Sequence, residues 1–402
     1  MESDSPQYDA IVVGVGGIGS AAVYHLAKRG KKVLGLDQYD IPNSIGSSHG
    51  DSRLIRLTNH EDPEYVPHVR RSLELWESLE EESGEELLHR TGTVDAGVPG
   101  SETVEGALQA CHDYGLEHEH LTAAELSEKF PGFDLPSEFE AVYQPDGGFI
   151  NPTKGVQAHV DLAHEHGAET HAHEAVVDWE QRDDRVVVET EDGSYETAEL
   201  VVTAGAWTQL LVDDLEDTLT PWRVIVGGFK PETKSRFTPE EFPVFSVEDR
   251  EQSYYGGPAA GVSGFKFGLV DNLEDVADPA DFDPRATEKE KERLRTELYE
   301  VAQEYFPEGA ASIKRLKTCM VTHTPDQDFI VDRHAEHSRV VIGAGFSGKG
   351  FKFSCLMGEL LADIVAGTDS EVDRELFDIE RFDEERSDRP TAHRSGDHGR
   401  SE

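Results

Sequence analysis

Ile11-Val12-Val13-Gly14-Val15-Gly16-Gly17-Ile18-Gly19, near the start of the chain, is the stretch whose reading decides the fold. An apolar run ends in Gly-x-Gly-x-x-Gly and passes into 20–29, which reads as strand, tight turn and helix in order. Gly14, Gly16, Gly17 and Gly19 are candidate ligand contacts. Gly14 makes the turn, Gly16 lets a pyrophosphate approach the backbone, and Gly19 lets helix and strand pack closely. The phosphates would sit at the helix N-terminus, where free N–H groups and the dipole favour an anion. Val33-Leu34-Gly35-Leu36 forms a second apolar strand that ends at Asp37, 37 − 19 = 18 residues past the last glycine. That is close to the spacing of a carboxylate that grips a ribose hydroxyl. A glycine turn that only packed a helix on a sheet would need neither the spacing nor Asp37, so a dinucleotide site is expected.

Composition sets the surroundings. The 402 residues hold one large or two intertwined domains. Lys+Arg 37 against Asp+Glu 82 gives 37 − 82 = −45, with only 14 lysines, and the acid is dispersed rather than gathered in a tail. A dispersed excess points to a solvated acidic surface suited to concentrated salt, as in halophiles. Recurrent apolar strands and aromatics exclude a disordered acidic chain, and the lack of basic patches excludes nucleic acid as a partner. Cys111, Cys319 and Cys355 are odd in number and widely spaced, which speaks for a reducing cytoplasm and against a disulfide framework. His164, His166, His171 and His173 stand among polar and acidic residues and read as solvated positions rather than metal ligands. Residues 1–10 are polar and the first apolar run is short, so neither a signal peptide nor a membrane span is expected.

Further along, 43–56 is a Gly/Ser-rich loop carrying His49, Arg53 and Arg56. Val66, Val69, Leu73 and Trp76 share one side of a helix expected over 64–88. Helices are expected near 105–114, 151–167, 287–305 and 354–366, with short strands filling 90–150 and strand-rich sequence at 222–269. A hairpin turns at Asp192-Gly193, and 200–207 and 340–345 are buried strands running into glycine turns. Parallel strands near 11, 33, 200 and 340 can share one sheet only if the chain returns to it. The fold class is therefore α/β, a Rossmann-type nucleotide domain built from both chain ends and interrupted by a strand-rich, mixed-sheet substrate domain.

Several ordered segments identify the nucleotide. Lys317-Thr318-Cys319-Met320-Val321-Thr322 and Gly343-Ala344-Gly345-Phe346-Ser347-Gly348-Lys349-Gly350-Phe351-Lys352-Phe353-Ser354 resemble the monomeric sarcosine oxidase and N-methyltryptophan oxidase family, within the D-amino-acid-oxidase-like flavoproteins. Gly46-Ser47-Ser48-His49-Gly50-Asp51-Ser52-Arg53-Leu54-Ile55-Arg56, Glu64-Tyr65-Val66-Pro67, Gly205-Ala206-Trp207 and Tyr254-Tyr255-Gly256 match in the same order, so the resemblance spans about 8 to 380. It implies FAD, with 1–89, 151–221 and 317–382 as the FAD-binding domain, 90–150 and 222–316 as the substrate domain, and 383–402 as a disordered acidic, polar tail. It also implies a monomer.

By the same resemblance, Cys319 is the residue that bonds covalently to the flavin 8α-methyl group, its thiolate adding at an electrophilic position. Ser47, Arg53, Gly345, Ser347, Gly348, Gly350 and Lys352 join the N-terminal glycines and Asp37 as cofactor contacts. Arg56 and Lys352 match the pair of cations that hold a substrate carboxylate, with Tyr255 beside the substrate. Lys266, in Gly264-Phe265-Lys266-Phe267-Gly268, falls on the opposite sheet face from the phenylalanines. In the family its counterpart lies against the flavin and promotes reduction of O2. His49 and Arg53 match residues near the ring, where a positive field stabilises a reduced, anionic flavin.

Val270, Val321 and Ser246 replace a histidine, a tyrosine and a methionine of the sarcosine-oxidising pattern, which shifts the expected amine preference. The implied activity is oxidation of an N-methyl or cyclic secondary amino acid to an imine, with O2 reduced to H2O2. Alternatives are a flavin-dependent dehydrogenase passing electrons to a carrier, an NAD-dependent dehydrogenase and a non-catalytic flavoprotein subunit.

Overall fold

The computed structural model describes residues 7–270, 274–276 and 278–382. The tail from 383, expected to be disordered, lies outside the described residues. Strand Tyr8–Val13 sits between Val33–Leu36 and Gly193–Val202, parallel to both, and Val340–Ala344 runs parallel on the far side of Gly193–Val202. The four expected strands therefore share one eight-stranded sheet. Glu169–His171 extends it at one edge and the hairpin Val176–Arg182 with Arg185–Thr190 at the other, and Ile330–Arg333 pairs antiparallel with Val340–Ala344. The parallel strands are apolar and buried at 10–13, 33–36, 200–202 and 340–344, where both faces are covered. Helices Gly17–Lys28, Pro152–Glu165 and Ser354–Ala366 pack together on one side.

The first βα turn depends on two glycines. Gly14 has φ +87°, and a Cβ there would lie 2.6 Å from the Thr203 carbonyl oxygen. At Gly19 a Cβ would fall 1.9 Å from the Gly14 carbonyl oxygen, so strand and helix approach as closely as backbone allows.

The second sheet is mixed. Thr220–Lys230 pairs with Ser312–His323 along nearly its whole length and with Gly264–Leu269 on its other edge. Ser253–Ala260, Val244–Glu248, Thr93–Gly97, Glu140–Gln144 and Glu119–Thr122 follow in that order. One face buries Phe133, Phe242, Phe245, Phe265, Phe267 and Phe306 in an aromatic core, and the other face meets the nucleotide-side sheet across a cavity.

Several boundaries differ from expectation. The helix expected over 64–88 is Val66–Ser83, ended by Gly84 in the left-handed region, and Leu88 belongs to a strand. The strand expected over 200–207 stops at Val202, because Gly205–Leu210 turns as a 3-10 helix. The helix over 287–305 is broken by a π turn at Leu294–Leu298. The hairpin pairs Thr190 with Gly193, one residue earlier than expected. An additional helix, Ala123–Lys129, begins with a Thr122–Glu125 capping box. Gly19→Ala should destabilise the protein by about 3 kcal/mol, read as a lower melting temperature, because the obstructing atom is backbone and cannot rotate away.

Candidate active site

A single cavity of about 1550 Å³ runs from the Gly14–Gly17 turn, past Asp37 and Cys319, to Arg56 and Lys352. Its floor is the upper face of the mixed sheet. Register pairs Lys317 with Val226, Val226 with Gly268, Gly268 with Tyr255, Tyr255 with Ser246, and Ser246 with Asp95. These six residues therefore stand in one row on one face. Two residues along the edge strand, on that same face, is Cys319. Gly268 leaves the space that the Tyr255 ring fills, since a Cβ would lie 2.7 Å from that ring.

At the nucleotide end, Gly16 opens onto the cavity, and the Gly17 N–H donates to Ser48 Oγ at 2.9 Å. Gly19 does not line the cavity and serves in packing alone. Asp37 is buried. Its Oδ2 accepts from the Val15 N–H and its Oδ1 from the Tyr39 N–H, each at 2.9 Å, while burial raises its pKa against those bonds. The carboxylate thus fastens the glycine turn to the second strand and still faces the cavity. Ser47 donates from Oγ to the Met320 carbonyl, tying its loop to the strand beside Cys319.

Around Cys319 stand Arg53, Lys266 and Lys317. Burial raises the Cys319 thiol pKa, and these three cations offset that rise only in part. Arg53 donates to the Ser52 and Ser47 carbonyls and Lys266 to the Ser52 carbonyl at 3.2 Å, with Lys266 Nζ 5.2 Å from the Tyr255 ring centre. Burial, then the Arg53 charge, brings the Lys266 pKa down to about 7. Burial raises the pKa of the Tyr255 phenol.

His49 departs from expectation. Burial, with Arg53 and Lys317 nearby, takes its pKa down to about 3, so it is neutral at physiological pH. Lys317 Nζ lies 3.0 Å from Nδ1; its ammonium has only protons to offer, so Nδ1 accepts and the ring proton resides on Nε2. That buried Nε2 has no hydrogen-bond partner among the described residues. The positive field comes from Arg53, Lys266 and Lys317, and His49 contributes a neutral donor instead.

At the other end, Arg56 and Lys352 are 6 % and 4 % exposed, so neither is the solvated charge that its residue type would suggest. Arg56 Nη1 donates to Ser246 Oγ at 2.9 Å and Asp95 Oδ1 at 3.2 Å, and Nη2 donates to Glu61 Oε1. Burial alone would raise the Glu61 carboxyl pKa; Arg56, followed by His60, Lys352 and Lys349, brings it well below the usual range. Burial takes Lys352 down to about 7 against the Glu61 charge. Three cations thus converge on one carboxylate that is itself partly exposed to the cavity. Gly345, Ser347, Gly348 and Gly350 shape the loop that carries Lys349 and Lys352, and the Ser347 N–H donates to the Thr322 carbonyl at 2.9 Å. Val321 and Val270 line the same cavity, Val270 with 62 % of its surface exposed.

Glu61, Asp95, Lys349 and Lys317 are site residues that sequence reasoning missed. A lone acid inside the buried strand Thr93–Gly97 was the available signal for Asp95, and i, i+2 alternation with Cys319 was the signal for Lys317. No group of His, Cys, Asp and Glu among the described residues is arranged to hold a metal ion, and no described helix is long and apolar enough to cross a membrane.

The cavity fits FAD through the chemistry of its lining: a glycine turn at a helix N-terminus, a carboxylate at the end of the second strand, an unpartnered His49 donor, and a cysteine among cations. The family model for FAD dependent oxidoreductases matches residues 9–364, and the chain belongs to that family of flavoenzymes. It is 37% identical to a monomeric sarcosine oxidase from Bacillus sp. (strain NS-129) over 381 residues, 94% of this chain and 97% of the relative. It is 31% identical to an N-methyl-L-tryptophan oxidase from Yersinia pestis (strain Pestoides F) over 376 residues, covering 93% and 99%. The fold is shared with NikD, an unusual amino acid oxidase essential for nikkomycin biosynthesis. That match has a TM-score of 0.81, 23% identity, and coverage of 93% of this chain and 98% of that one.

Arg56→Met would leave Asp95, which has no exposed surface, without its guanidinium. Such a break costs about 3–5 kcal/mol, measured by denaturant unfolding at neutral pH. The deficit should shrink toward acid pH as Asp95 takes up a proton.

Proposed function

We propose that this protein oxidises the C–N bond of a secondary amino acid, N-methyl or cyclic, to an imine that water then hydrolyses, and that O2 leaves as H2O2. The observation that carries this reading is the pair of buried cations, Arg56 and Lys352, converging on a carboxylate inside the cavity that holds Cys319 and Lys266. Glu61 occupies the position of an anion. A substrate carboxylate takes its place on Arg56 Nη2 and the Lys352 ammonium, which fixes the orientation of the neutral amine. FAD, when bound, accepts the hydride equivalent from the carbon next to nitrogen. The relatives named for sarcosine and N-methyl-L-tryptophan support the secondary-amine class. Val270, Val321 and Ser246 favour an amine other than sarcosine.

Gly14, Gly16, Gly17, Asp37, Ser47, Arg53, Gly345, Ser347, Gly348, Gly350 and Lys352 form the cofactor cradle in this reading, built from segments 1–89, 151–221 and 317–382, with Gly19 packing the helix beneath it. Tyr255 flanks the substrate. Cys319 holds the flavin covalently, its thiolate favoured by three neighbouring cations. Lys266 supplies positive charge for the oxygen reaction. The enzyme is a monomer in a salty cytoplasm, where its net charge of −45 keeps it dispersed. A carrier-linked dehydrogenase is the alternative, and oxygen uptake by purified protein separates the two.

Cys319→Ser should release its flavin into the supernatant on acid precipitation, whereas the parent pellet stays yellow; a yellow variant pellet would rule Cys319 out. With a pKa near 7, Lys266 loses its charge as pH rises. The rate at which substrate-reduced enzyme reacts with O2 should therefore fall between about pH 6 and 9. Lys266→Met should slow that step about 10²-fold and remove its pH dependence.

A further inference from the structure

Behind the guanidinium of Arg56 lies a second set of contacts, made by the wholly buried Asp95 and by Ser246 at the cavity wall. Asp95 is fully buried in strand Thr93–Gly97, and Ser246 stands in register with it on the neighbouring strand Val244–Glu248. Both accept from one nitrogen, Arg56 Nη1, at 3.2 and 2.9 Å. Nη1 has two protons, and the His60 ring stands at the same nitrogen with Nδ1 2.6 Å away, so three side chains surround it on this edge. The other carboxylate oxygen, Asp95 Oδ2, accepts from Thr58 Oγ1 at 2.6 Å, and His60 Nδ1 lies 3.0 Å from Oδ1. Thr58 and Arg56 are two residues apart, so Asp95 grips the arginine's own segment at two points. The opposite edge, Nη2, is left toward Glu61 and the cavity.

We propose that Asp95 is the positioning residue of the substrate clamp: seated with Ser246 and Thr58, it holds Arg56 by Nη1 so that Nη2 is presented beside Lys352 to a carboxylate. This rests on the reading of Arg56 and Lys352 as a carboxylate clamp. It makes a prediction of opposite sign to simple charge balance. As a bare negative charge close to the clamp, Asp95 repels an incoming carboxylate, so removing it would tighten binding. As the seat of a flexible side chain, its removal frees Arg56 to swing toward Glu61 or the surface, and binding weakens.

The test uses flavin-loaded enzyme and pyrrole-2-carboxylate, whose aromatic ring cannot be oxidised at the position next to nitrogen, with the uncharged pyrrole-2-carboxamide as control. Binding is read from perturbation of the flavin spectrum. Wild type should prefer the carboxylate by at least about tenfold. Asp95→Asn should lower carboxylate affinity about tenfold and leave the amide unchanged. Ser246→Ala, which removes a neutral acceptor and leaves the buried charges paired, should lower it about threefold and carries the test should Asp95→Asn fail to fold. With the N-methyl or cyclic amino acid that wild type oxidises fastest as turnover substrate, KM should rise in both variants while kcat holds.

Equal or tighter carboxylate binding in Asp95→Asn, or in Ser246→Ala should Asp95→Asn not fold, overturns the positioning role while the clamp stands. A wild type that does not distinguish carboxylate from amide overturns the clamp itself, and the proposal with it.

Discussion

The site depends on the pairing of Thr220–Lys230 with two strands at once. Its contact with Ser312–His323 sets where Cys319 stands, and its contact with Gly264–Leu269 sets where Lys266 and Gly268 stand. Because side chains alternate with a period of two, a one-residue slip of Gly264–Leu269 would send Lys266 into the aromatic core and Phe265 or Phe267 into the cavity, and one of Ser312–His323 would turn Cys319 away from it. The aromatic core on the lower face prevents that slip, since nine phenylalanines are buried there and would lose that burial. Hydrophobic burial on one face thus fixes the positions of the charges on the other.

Those charges are held in unfavourable surroundings. A chain with net charge −45 gathers Arg53, Lys266 and Lys317 at one end of a cavity and Arg56, Lys349 and Lys352 at the other. Buried cations persist only when paired or poised to lose a proton, and both solutions occur here. Arg56, which cannot deprotonate, is paired front and back by Glu61 and Asp95. Lys266 and Lys352, with less complete partners, have pKa values drawn to about 7. The acidic surface makes the contrast sharper: an anionic substrate is repelled by the exterior and attracted only inside, which favours recognition by local geometry over long-range steering.

The fold was legible because its signals are local and repeated. Gly14 is demanded by its left-handed φ and Gly19 by the neighbouring Gly14 carbonyl, both within the first thirty residues, and the strands near 11, 33, 200 and 340 carry the continuous apolar runs of a sheet covered on both faces. The alternation around Lys266 foretold its face correctly. Element ends were less legible: Gly205 and the π turn at Leu294–Leu298 break runs whose composition alone reads as continuous. The resemblance to a known family located Arg56, Lys352 and Cys319, which composition would have left as ordinary charges and a core cysteine.

By itself the sequence determined the nucleotide turn, the class of sheet and the acidic exterior. Each of these is written in spacing, periodicity or composition. Tertiary structure alone decided which charges meet. Asp95, Ser246 and Arg56 are separated by 39 and 190 residues, and no local pattern links a strand acid to a loop arginine. The protonation of His49 likewise follows first from burial that no single segment produces, then from Arg53 in its own loop and Lys317, 268 positions away. Electrostatic character depends on distance and solvent exclusion in three dimensions, and both exist only once the sheets have closed over the cavity.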